Sequence, residues 1–128
     1  EWLMSSRGSE ENPNAGSQLR PLIPKIWNAG LPVIDDLHTG SYGWKPAEKT
    51  EKLLALLAEL KPGVTEILFH ASRPTEDFPI ITGSSESRLA DLKALTDPRV
   101  KKLLQDRGIL LTTWKELGER RKKAARMN

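Results

Sequence analysis

At 128 residues the chain can build one ordinary core but not two, and with 29% charged residues it has no apolar run near the roughly 20 residues that a bilayer span requires. There is no cysteine, which excludes disulfides and thiolate metal sites. The net charge of +3 sits in the tail: from Lys115 onward six basic residues face two acidic ones, so the rest of the chain is close to neutral. A basic helical end suits the helix dipole, and no aromatic residues interleave with it, so neither nucleic acid nor a membrane surface is expected as a partner. The sequence opens on Glu1-Trp2 without an initiator methionine or a signal-peptide pattern. The expectation is a piece of a longer, cytoplasmic polypeptide.

Residues 1–18 are polar and punctuated by Gly8, Pro13 and Gly16. They read as a loop or arm, with Trp2 and Leu3 in need of a partner surface. Residues 19–128 read as one α/β region. A short helix is predicted over 19–28, its Leu22, Ile23, Ile26 and Trp27 forming a core stripe before the stop at Gly30. A buried strand over 31–37 then runs into the loop His38-Thr39-Gly40-Ser41-Tyr42-Gly43-Trp44. Pro46 opens the clearest helix, 47–60, with Leu53, Leu54, Leu57 and Leu60 inward and Glu48, Lys49, Glu51 and Lys52 toward water. Lys61-Pro62-Gly63 ends it.

The β-branched and aromatic run from Val64 to Ser72 predicts a second strand that delivers His70 to a surface. A long connection over 71–86 follows, in which Phe78-Pro79-Ile80-Ile81 is expected to pack down on the body. Helices over 87–95 and 98–106 come next, the latter with Asp97 as N-cap, Pro98 at its first position and Gly108 beyond its end. Residues 109–112 predict a third strand. Thr113 with Glu116 forms a capping box for a final helix, 114–126. Strands separated by helices imply a parallel sheet, and three strands make a small one with open edges.

Loops following parallel strands lie on one side of the sheet, so Asp35, Asp36 and His38 can meet His70, Ser72 and Arg73 there. A carboxylate, imidazoles and a guanidinium suit acid–base work or anion positioning. A lone histidine at a strand end is also a common structural residue. No phosphate loop, nucleophile elbow or His-Glu-x-x-His helix is present, and no spacing is diagnostic of metal ligands.

The runs Leu31-Pro-Val-Ile-Asp-Asp-Leu-His38, Leu60-Lys-Pro-Gly-Val-Thr-Glu-Ile-Leu-Phe-His70, Asp97-Pro-Arg-Val100 and Arg107-Gly-Ile-Leu-Leu-Thr-Thr-Trp-Lys-Glu-Leu117 resemble the C-terminal portion of YdjC-like carbohydrate deacetylases of the ChbG type. The resemblance implies a partial (β/α) barrel of the polysaccharide-deacetylase type, with parallel strands alternating with helices. It implies metal-dependent hydrolysis of the N-acetyl group of amino-sugar oligosaccharides. His70 would be the general acid and Asp35 an orienting carboxylate, with Arg73, Tyr42, Trp44 and His38 contacting the sugar. The family's divalent metal, Mg or Zn, is held by N-terminal motifs that this sequence lacks. No metal ligand is therefore assigned here, and this chain alone is expected to carry no metal and little activity. Where the family shows His-Pro-Gly, this chain has His70-Ala71-Ser72. The competing reading is a non-catalytic α/β binding or assembly module with a basic C-terminal helix. Open sheet edges also make a homo-oligomer an expectation.

Overall fold

In the computed structural model, which describes residues 20–125, short strands are set among longer helices. The order is α1 (Leu22–Asn28), β1 (Asp36–His38), two 3-10 turns (Gly40–Gly43 and Pro46–Glu48), α2 (Lys49–Glu59), β2 (Thr65–Ile67), α3 (Phe78–Ile81), α4 (Ser85–Leu95), α5 (Pro98–Asp106) and α6 (Trp114–Ala125). The predicted arm over 1–18, with Trp2 and Leu3, lies outside the described residues. β1 and β2 pair in parallel through α2, which is one βαβ unit. Among the described residues no helix is long and apolar enough to cross a membrane.

The chain divides into two units, residues 38–62 with 66–110, and residues 1–37 with 63–65 and 111–128. The larger unit contains the buried core: Leu53 and Leu57 of α2, Ala94 of α4 and Val100 of α5. Trp44, Leu54, Leu60, Ile67, Phe69, Leu103 and Leu104 pack around it. Each fully buried leucine of this kind contributes about 1.5–3 kcal/mol. The stripe read from the sequence is thus the stripe the fold buries. Lys49 departs from that reading, being 0% exposed rather than facing water. The reason is a counter-ion: Asp91 on α4 meets its ammonium at 2.5 Å.

Caps follow the sequence closely. The Asp97 carboxylate accepts the Arg99 N–H at 2.9 Å, Pro98 occupies the first turn, and Gly108 takes φ 63° beyond α5. At α6 the Thr113 hydroxyl accepts the Glu116 N–H at 3.2 Å while the Glu116 carboxylate accepts the Thr113 N–H at 2.8 Å. That reciprocal pair is the capping box.

Other expectations require correction. The third strand, 109–112, does not form: Ile109 N–H turns back to the Leu104 carbonyl at 2.8 Å as a helix cap, and Leu110 and Leu111 are 81% and 82% exposed. A strand exists only where a neighbour completes its ladder. The first strand begins later than predicted, at Asp36, and the second ends at Ile67, before His70. The connection after β2 contains the single turn α3, whose Ile80 and Ile81 point outward rather than packing down. In the smaller unit, no residue of α1 is buried, so its predicted core stripe is only partly covered. Trp27 instead lies under the Arg121 guanidinium of α6, 3.7 Å from the ring centroid, and its carbonyl accepts from Arg121 Nη2 at 3.0 Å.

Candidate functional site around His70

Past β2 the chain continues as Leu68-Phe69-His70 without a ladder of its own, and three separate groups hold it. Leu68 N–H donates to the His38 carbonyl at 2.9 Å, extending the parallel pairing by one bond. The buried Ser41 hydroxyl donates to the Leu68 carbonyl. His70 N–H donates to Asp91 Oδ2 at 3.0 Å. Phe69 packs against Trp44, ring centroids 6.2 Å apart, at the edge of the core.

The His70 imidazole is half-buried and meets the Tyr42 ring edge-on, 5.4 Å between centroids. Tyr42 is itself 50% exposed, which leaves an aromatic surface beside the histidine. Such a surface can receive the apolar face of a sugar ring, and the half-exposed imidazole can exchange a proton with a group placed there.

The predicted site residues are only partly brought together. Tyr42 and His70 meet, and the His38 backbone joins the segment that carries His70. Trp44 packs against the core as a wall of this region. Arg73 is exposed, and Ser72 N–H donates to the Arg88 carbonyl at 3.3 Å. Asp35 belongs to the smaller unit, where its Oδ2 accepts the Val64 N–H at 2.8 Å at the start of β2. The described partners of His70, Tyr42 and Asp91, both belong to the larger unit.

Sequence reasoning missed Lys49, Asp91 and Ser41. For Lys49 a partial signal exists, since it lies on the same i, i+4 row as the buried Leu53 and Leu57. For Asp91 and Ser41 the sequence carries no comparable local signal.

Among the described residues no group of three or more His, Cys, Asp or Glu side chains is placed to hold a metal ion, and both Asp91 oxygens already have partners.

No family model matches the chain, and no solved structure matches it. The chain is similar to a curated carbohydrate deacetylase of Thermoanaerobacter pseudethanolicus, 33% identical over 90 residues. The match covers 70% of this chain and 35% of that relative, so the chain corresponds to about a third of a carbohydrate deacetylase's length.

Proposed function

We propose that this chain is the late part of a carbohydrate deacetylase that hydrolyses the N-acetyl group of amino-sugar oligosaccharides, within a (β/α) barrel to which β1, α2 and β2 contribute one unit. The similarity to the Thermoanaerobacter enzyme is the observation that carries this reading. The contact between the half-buried His70 and the exposed Tyr42, beyond a parallel strand, supports it.

Amide hydrolysis adds water to the acetyl carbonyl, breaks the C–N bond and leaves acetate with a free amine. The departing nitrogen needs a proton, because an amide anion is a poor leaving group. His70 supplies that proton from its ring, and Tyr42 lines the place where the sugar lies. Arg73 and His38 are further candidates for sugar contact. Asp35 as an orienting carboxylate has less support, since its Oδ2 already holds the start of β2.

The test is acetate release from N-acetylated glucosamine oligosaccharides by the polypeptide that carries this chain. Release with formation of one free amine per acetate is the expected result. No acetate from any N-acetylated saccharide, together with an oligomer assembled through the exposed Leu110-Leu111 segment, would instead favour the assembly module.

A further inference from the structure

Asp91 is 0% exposed, and its two oxygens do different things. Oδ1 faces the Lys49 ammonium at 2.5 Å, and Oδ2 takes the backbone N–H of His70 at 3.0 Å. The Lys49 and Asp91 side chains are 0% and 1% exposed. Stability is a weak reason for such a pair, because the desolvation of two buried charges offsets most of their attraction and packed apolar residues do as well. An apolar pair, however, could not accept the His70 N–H. That N–H belongs to a coil segment past β2, so the carboxylate is what fixes it.

We propose that Lys49 and Asp91 are a positioning pair for His70. Lys49 holds the Asp91 carboxylate in one orientation between α2 and α4, the carboxylate holds the His70 backbone, and the imidazole is thereby presented beside Tyr42. With Ser41 holding the Leu68 carbonyl two residues earlier, the segment is fixed at both ends. The inference rests on the reading of His70 as proton donor, but the tether itself is measurable without any substrate.

The experiment is amide hydrogen exchange of His70, with the Tyr42–His70 ring contact followed by nuclear Overhauser effects, on the 128-residue chain. Asp91→Ala should speed His70 exchange by about tenfold or more and weaken the ring contact, as expected for loss of a charge-assisted hydrogen bond. Protection in the interior of α2 should persist. The neutral pair Lys49→Gln with Asp91→Asn offers an amide oxygen to the same N–H and leaves no buried charge, so it should restore protection and the ring contact. It also serves as the decisive variant if Asp91→Ala does not fold. In a polypeptide that releases acetate, Asp91→Ala should lower kcat with little change in KM. Wild-type His70 protection in folded Asp91→Ala, or failure of the folded neutral pair to protect it, would overturn the tether. Lost protection in Asp91→Ala alongside unchanged turnover in His70→Ala would support the tether and remove the proton-donor reading instead.

Discussion

A side chain at Gly63 would place its Cβ 2.9 Å from Asp35 Oδ2, the oxygen that accepts the Val64 N–H. Gly63 also has φ 141°, a conformation that other residues rarely adopt. The turn between α2 and β2 thus depends on a small residue and a carboxylate held against each other. Gly63→Ala should destabilise the chain by roughly 1–3 kcal/mol through strain and the close approach. Asp35→Ala should cost about 0.5–1.5 kcal/mol by removing the acceptor of the Val64 N–H, which water replaces in this exposed position. Urea unfolding of both variants checks this. If Asp35→Ala keeps full stability and instead abolishes turnover, Asp35 acts on the reaction rather than on the turn.

For Lys49 the prediction concerns which change is worse. Lys49→Met leaves the Asp91 carboxylate buried without a cation and should cost about 3–5 kcal/mol. Lys49→Met combined with Asp91→Leu removes both charges and should be clearly more stable than the single variant. A double-mutant cycle on unfolding free energies measures the difference, and simple additivity would show that the two groups are not coupled.

Leu57 is 5% exposed in the core, whereas Ile80 is 85% exposed on α3. Leu57→Ala should therefore cost about 2–5 kcal/mol, and Ile80→Ser less than about 0.5 kcal/mol. Thermal unfolding of the two variants side by side tests whether α3 contributes to the core.

Acid should loosen the capped helix starts before it reaches the core. The Glu116 carboxyl is held below its ordinary range, first by the Thr113 N–H and then by the Thr112 and Thr113 hydroxyls. Asp97 is lowered in the same direction by the Arg99 side chain and then by the Arg99 N–H. A depressed folded-state value means that the contribution is present above the ordinary carboxylate pKa and is lost as pH falls through the lower, folded one. Amide protection at the first turns of α5 and α6, measured against the intrinsic exchange rate at each pH, should fall on acidification below about pH 4, where free carboxylates titrate. Glu116→Gln should flatten that dependence in α6 and leave α5 unchanged.

Local chemistry explains what could be read from the sequence. Asp97 with Pro98, Thr113 with Glu116, and the glycines at 30, 63 and 108 act within a few residues of themselves, and all five signals mark turns or caps in the structure. The leucine stripe of α2 was equally legible, because helical period and burial coincide there. The strand over 109–112 was not, since Ile109 and Leu110 have strand-like composition but a ladder needs a partner that composition does not name. Lys49 was misread for a related reason: a lysine faces water by default, and only Asp91, 42 positions away, reverses that default. At the site, His70 and Tyr42 are separate candidates in the sequence, and their ring contact comes from the fold. The Asp91 carboxylate behind His70 depends on how α4 returns to β2, which no local pattern encodes.

The most direct measurement is the turnover of folded His70→Ala on an N-acetylated amino-sugar oligosaccharide, compared with wild type in the same polypeptide. Removing a general acid predicts a fall in kcat of about 10²–10⁴ with KM nearly unchanged. Wild-type kcat in that variant would contradict the account, since the departing amine would then be receiving its proton from another group.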